Sequence, residues 1–247
     1  MNRTMPAIAV ENLHKRYRSK IAVDDVSLRV EQGHVLGILG ANGAGKTTTV
    51  ELMAGLRKPD RGTVSVLGLD PRRDRAKIRQ VLGVQLQDAY LHQALTAAEL
   101  VELYRSFYPN PRSADETLDL VELSEHRDTM FEKLSGGQKQ RLSVALALVG
   151  RPRVVILDEL TTGLDPRARR RMWSAIEKLR IEGVTLVLVS HAMDEVNRLC
   201  DSLVLLDKGR IIAQGTPAEV TAQAQAADLE EAFVALTGRS LQDEEDL

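Results

Sequence analysis

Residues 40–48 read Gly40-Ala41-Asn42-Gly43-Ala44-Gly45-Lys46-Thr47-Thr48. They fit G-x-x-x-x-G-K-[ST], a spacing whose chemistry is the grip of a polyphosphate. Glycine at 43 and 45 lets the main chain wrap an anion without a Cβ in the way. Successive N–H groups and the start of a following helix then supply positive potential. Lys46 would reach the β- and γ-phosphates, and the Thr47 hydroxyl would hold Mg²⁺. A second constellation, Leu157-Asp158-Glu159, ends an apolar run with two carboxylates, the strand-end position where α/β sheets carry ligand chemistry. Asp158 is expected to orient Mg²⁺ through its water shell, and Glu159 to polarise an attacking water.

A third stretch is Leu134-Ser135-Gly136-Gly137-Gln138. Serine with glutamine three residues on is a helix-capping box. Two glycines in a first turn, however, cost about 1 kcal/mol each relative to alanine. A cap serving stability alone would not choose them. Glycines here suggest close approach of something to the backbone, and a helix start attracts phosphate. One chain already cradles its nucleotide at residues 40–48. The economical resolution is a second copy, whose serine-glycine turn closes over the first copy's γ-phosphate.

The elements around these residues alternate. Val35-Leu36-Gly37-Ile38-Leu39 reads as a strand buried on both faces, and a helix follows the glycine loop, with Val50, Met53 and Ala54 on one side. Val26, Leu28 and Val30, and then residues 63–67, alternate as half-buried antiparallel strands. A buried strand is expected around residues 81–84. From residue 96 to 150 the chain reads almost wholly helical, with Leu100, Leu103, Tyr104 and Phe107 on one face and Leu142, Ala145, Leu146 and Val149 on another. Buried strands return at residues 154–157, 184–189 and 203–206, with a helix beginning near Pro166. The expectation is an α/β protein with a mostly parallel core sheet, an N-terminal antiparallel β-subdomain and a helical insertion near residues 88–150. Leu229, Phe233 and Leu236 predict one short C-terminal helix, and Asp243-Glu244-Glu245-Asp246 a solvated end.

Composition removes several function classes. A net charge of −2 over 247 residues, with 3% aromatics, argues against nucleic acid as a partner. The single cysteine, Cys200, cannot make an internal disulfide and suits a reducing compartment. Residues 1–10 lack the apolar stretch of a secretory leader, and no apolar run approaches the roughly 18 residues that span a bilayer. None of the five asparagines precedes a lysine, so the guanine-reading Asn-Lys-x-Asp is absent.

Taken in this order, residues 40–48, 134–138 and 154–159 resemble the nucleotide-binding subunit of an ATP-binding-cassette (ABC) transporter, over residues 7 to 220. The local style of residues 84–88 and 158–166 is similar to bacterial multidrug and antibiotic exporter ATPases. The resemblance implies a P-loop NTPase (RecA-like) core that hydrolyses ATP with Mg²⁺. It implies a head-to-tail pair with a second copy or a homologous cassette, and a separate polytopic transmembrane permease. It places the chain on the inner face of the cell membrane, in the cytoplasm. Further roles carry over by position: Tyr17 stacks on adenine, Gln87 senses Mg²⁺ and the γ-phosphate, Asp165 crosses the dimer seam after Gly163-Leu164, and His191 meets the γ-phosphate. The chain is divided at about residue 220, leaving a short helix and tail over 221–247. This sequence departs from the family pattern in Leu160, where proline is usual after the catalytic glutamate, and in Ala41. The alternative is a single-cassette ATPase driving a cytosolic assembly such as iron–sulfur cluster biogenesis.

Overall fold

A computed structural model describes residues 5–86 and 91–238. In chain order the elements begin with β1 (Ile8–Tyr17), β2 (Lys20–Val30), β3 (Val35–Gly40), α1 (Lys46–Met53), β4 (Arg61–Val66), α2 (Arg75–Val81) and β5 (Leu82–Gln85). Three helices follow: α3 (Ala97–Arg105), α4 (Ala114–Leu120) and α5 (Gly136–Leu148). The chain then alternates through β6 (Val154–Asp158), α6 (Pro166–Ile181), β7 (Thr185–Val189), α7 (Met193–Leu199), β8 (Ser202–Asp207) and β9 (Arg210–Gly215). It closes with α8 (Pro217–Gln223) and α9 (Leu229–Thr237). No helix among the described residues is long and apolar enough to cross a membrane.

Two sheets carry the fold. An antiparallel sheet runs β2-β1-β4, and a six-stranded sheet runs β5-β6-β7-β3-β8-β9. The latter is parallel except for β9, which returns antiparallel to β8. Side-chain alternation along a strand explains why its inner strands β3, β6, β7 and β8 are apolar over most of their length. Leu39, Leu157, Leu188 and Leu205 face one core, against α3, α5, α6 and α9. Their neighbours Ile38, Ile156, Val189 and Val204 face the other, against α1 and the antiparallel sheet. Both faces of these inner strands are covered, so their polar residues, Asp158, Thr185, Ser202 and Asp207, stand at the strand ends.

Several details differ from the sequence reading. The stretch from 96 to 150 holds three separate helices, with two short 3₁₀ turns at Ser124–His126 and Phe131–Lys133 between α4 and α5. The face of α3 that is buried is Ala97, Leu100 and Val101, while Leu103 and Phe107 are exposed. The spacing i, i+3, i+4 is retained with a different phase. Val81 ends α2 rather than starting a strand. Leu142, Ala145, Leu146 and Val149 are buried together as expected. In α9, Leu229 and Phe233 are buried in the helix-facing core, with Leu236 packed against it. The acidic stretch 243–246 lies outside the described residues.

Candidate functional site

Parallel register brings the predicted residues to one edge. Ile38 of β3 and Asp158 of β6 both stand opposite Val189, the last residue of β7. The C-terminal ends of three adjacent strands therefore deliver the loop after Gly40, the pair Asp158 and Glu159, and His191 to the same rim. His191 is exposed two residues past β7.

The glycine loop is wedged between neighbours. Gly45 has φ +105°, and a Cβ on it would come within 2.3 Å of the Ala22 carbonyl oxygen. Gly40 is similarly hemmed, with the Leu206 carbonyl 2.4 Å from where its Cβ would stand. These two glycines are thus required by the protein's own backbone, before any ligand enters. The amide of Gly209, in the β8–β9 turn, donates to the Ala44 carbonyl at 2.9 Å and ties the loop from the other side. Lys46 lies across the loop, its Nζ donating to the carbonyls of Gly40 at 2.6 Å and Ala41 at 3.0 Å.

A cleft of about 370 Å³ opens over this loop, lined by Ala41, Asn42, Gly43, Gly45, Lys46, Thr47 and Thr48 together with Tyr17, Lys20 and Glu159. Tyr17, at the end of β1, is 37% exposed, which excludes a core role. The Lys15 ammonium and the Arg57 guanidinium lie 5.4 and 5.5 Å from its ring centroid. Lys20 belongs to none of the sequence motifs, yet it lines the cleft. It starts β2, and its Nζ stands 3.5 Å from where a Cβ of Gly43 would be. A lysine twenty residues upstream of a loop carries no local signal of contact; the β1–β2 hairpin brings it there.

Asp158 is 1% exposed, and its Oδ2 has no hydrogen-bond partner. Burial, then the Glu159 charge beside it, push its carboxyl from the ordinary 3.8 up to about 6, against the pull of Lys46 and a hydrogen bond from Thr47. An orphaned buried carboxylate oxygen beside a threonine hydroxyl is a donor set of the kind a hard divalent cation takes. Without a cation, ionisation of Asp158 opposes folding. The stability that its neutral form contributes is complete below 3.8 and is lost as pH rises through about 6. Asp158→Asn is therefore expected to raise the ligand-free melting temperature at pH 7.5 by about 5 °C. It should change it little at pH 4.5. Thermal unfolding at the two pH values checks this, and a larger gain in acid would contradict it.

Glu159 follows with φ +53°, a conformation that costs a non-glycine residue of order 1 kcal/mol or more. Leu160 behind it is fully buried in the helix-facing core, which accounts for a large apolar side chain at that position.

The serine-glycine turn does not line the cleft of its own chain. Ser135 caps α5 as a capping box: Gln138 N–H donates to Ser135 Oγ at 3.3 Å, and Ser135 N–H to Gln138 Oε1 at 2.8 Å. Gln138 is also fastened to His126 at 2.8 Å. A Cβ on Gly137 would come within 2.9 Å of the tip of the Leu164 side chain, which would have to shift to admit it. Gly136 is different. It is exposed, and nothing among the described residues lies within 4 Å of an added Cβ. Asp165 caps α6, accepting from the N–H groups of Arg167 and Ala168, both at 2.9 Å. Those two amides, Ala168 foremost, hold its carboxyl below the usual range. Gln87 lies outside the described residues. The nearby Gln85 is buried, and its Oε1 accepts from Asp158 N–H at 3.2 Å.

Comparison with known proteins agrees with this geometry. The family model described as ABC transporter matches residues 23–162, more than half of the chain. The Nod factor export ATP-binding protein I of Ralstonia nicotianae is 37% identical over 235 residues, covering 92% of this chain and 73% of that protein. Its namesake from Burkholderia orbicola is 40% identical over 216 residues, 85% of this chain and 71% of that one. Among solved structures, an ATP-binding subunit of an ABC transporter superposes with a TM-score of 0.85 at 28% identity, over 93% of this chain and 99% of that one. A dimeric ATP-binding cassette in a post-hydrolysis state, bound to ADP and Pi, superposes with a TM-score of 0.79 at 27% identity, over 85% and 98%. On this likeness of sequence and fold together, the chain belongs to the ABC transporter family, as one of its ATP-binding ATPase subunits.

Proposed function

We propose that this subunit powers export, as one half of a head-to-tail pair of cassettes that drives a separate polytopic membrane permease. The similarity to proteins named for Nod factor export supports the direction of transport. The cassette proper is assigned to residues 1–220, with its helical insertion over 88–150, and 221–247 to a short C-terminal segment that holds the end of α8 and all of α9. The pair is formed with a second copy or a homologous cassette, at the inner face of the membrane.

Each site takes Tyr17, residues 40–48, Asp158, Glu159 and His191 from one chain, and Gln87 by its position in the motif. Ser135, Gly136, Gly137 and Gln138 come from the other chain, with Asp165 at the seam. Lys20 and Lys46 put two cations over the phosphates. Thr47 and Asp158 would hold Mg²⁺, with Gln87 beside them. When bound, that ion neutralises charge on the β- and γ-phosphate oxygens. Water attacks the γ-phosphorus, the bond to the β–γ bridging oxygen breaks, and ADP leaves with the electron pair. Glu159 receives the proton that water loses. The observation that carries the two-chain reading is Gly136, an open glycine in an exposed, capped helix start that does not line its own cleft. Binding ATP adds charge-assisted hydrogen bonds from both chains to one γ-phosphate, and hydrolysis removes the bridge.

A groove of about 300 Å³, lined by Leu56, Leu91, Tyr104, Tyr108, Leu146 and Ala147, runs beside β5. Its apolar walls suit an apolar cytoplasmic segment of the permease, and its position next to Gln85 and Leu86 links it to the nucleotide rim.

The test is Ser135→Arg. Nucleotide binding by the single chain is expected to be unchanged, because residue 135 is not in that chain's cleft. ATP-dependent dimerisation should be lost, as the added guanidinium fills the space reserved for the partner's phosphate. Light scattering that still reports a dimer with ATP would refute the shared site.

A further inference from the structure

Gln140 sits in the second turn of α5. Its Nε2 donates to the backbone carbonyl of Glu159 at 3.0 Å. The other end of that residue is held too, since Glu159 N–H donates to the Val189 carbonyl at 2.9 Å. Between these two anchors the residue is kept at φ +53°. Left-handed backbone at glutamate persists only where the surroundings over-determine it. The anchors come from two different elements, β7 and α5. A second contact joins α5 to the same loop: a Cβ on Gly137 would press on Leu164. Leu160 leaves the preceding residue free of the restriction that a proline would impose on it, so the polar anchors, together with the burial of Leu160, must set the conformation.

We propose that Gln140 is a positioning residue for hydrolysis: its amide fixes the Glu159 peptide and thereby aims the carboxylate at the attacking water. The inference rests on the reading of Glu159 as the water activator. Gln140 and Ser135 ride one helix, about 7.5 Å apart along its axis. The helix start assigned to the partner's nucleotide thus continues into the group that holds this chain's own glutamate.

Gln140→Met keeps the side chain's length and removes the donor. Measured on the full chain with Mg²⁺ and ATP, kcat is expected to fall about tenfold, the scale on which small misplacements of a reacting group act. KM and the affinity for ATP should stay within about a factor of two, as for a loss confined to the transition state. Gln140→Glu, which keeps the shape and cannot donate when ionised, should behave the same way and stands in if the methionine variant folds poorly. The decisive arm is the Glu159→Gln background. There the second substitution should cost nothing further, because the carboxylate it serves is gone. Unchanged kcat in both Gln140 variants would overturn the proposal, as would a loss of the same size in the Glu159→Gln background. Wild-type turnover by Glu159→Gln itself would instead remove Glu159 as water activator, and this inference with it.

Discussion

Glu159→Gln is expected to bind ATP normally and to hydrolyse it about a hundred- to a thousandfold more slowly, the range typical of losing a positioned general base. The amide has the volume and reach of the carboxylate it replaces, so the cleft keeps its shape. It cannot accept the proton that water gives up. The groups assigned to nucleotide binding, residues 40–48 with Tyr17 and Lys20, are untouched. Because the bridging γ-phosphate is no longer removed, the two chains should accumulate as an ATP-bound dimer. Steady-state turnover and light scattering on the same sample check both halves. Turnover near the wild-type rate would take Glu159 out of the role assigned to it.

Lys46→Ala is expected to weaken ATP binding about 100-fold, close to 3 kcal/mol, as befits the loss of charge-assisted hydrogen bonds from one ammonium to two phosphates. Lys20 lines the same cleft, so a remaining cation keeps the loss from being total. The substitution also acts on the loop itself. The Gly40 and Ala41 carbonyls that now accept from Lys46 lose that donor, at a cost of about 1 kcal/mol of stability. Calorimetric titration with ATP and a parallel unfolding curve separate the two effects. Affinity close to that of the unchanged chain would contradict the proposed grip.

Where the sequence was hard to read, a particular irregularity was the cause. In β1 the buried residues are Ile8, Val10 and Leu13, so the alternation changes phase. The structure places a register shift between Val10 and Leu13, with Asn12 at φ +48°. A bulge of that kind erases the period of two that identifies a strand, and the sequence reading found β2 and β4 but not β1. The turn at Lys208 and Gly209, both with positive φ, joins β8 to β9 as a two-residue hairpin loop. Its Asp207-Lys208-Gly209 is a legible turn signal in the sequence. Ser135 and Gln138 were legible as a capping box, and that is how they are bonded. What the cap left unexplained was Gly136, whose openness appears only when its surroundings are known.

Local chemistry pointed to the loop that is proposed to grip a triphosphate, because glycine, lysine and threonine spacing in one loop needs no distant contact to be recognised. It also determined the class of fold, since doubly buried strands alternating with helices leave few arrangements. Other matters belong to the tertiary structure alone. That Asp158 is buried with an orphaned oxygen depends on Gln85 of β5 and on Lys46 and Thr47 of α1, which arrive from two other segments. That Glu159 is held at both ends depends on β7 and α5. Burial and field are properties of what surrounds a group, and the groups named around these two stand 19 to 112 positions from them along the chain, brought beside them only by folding.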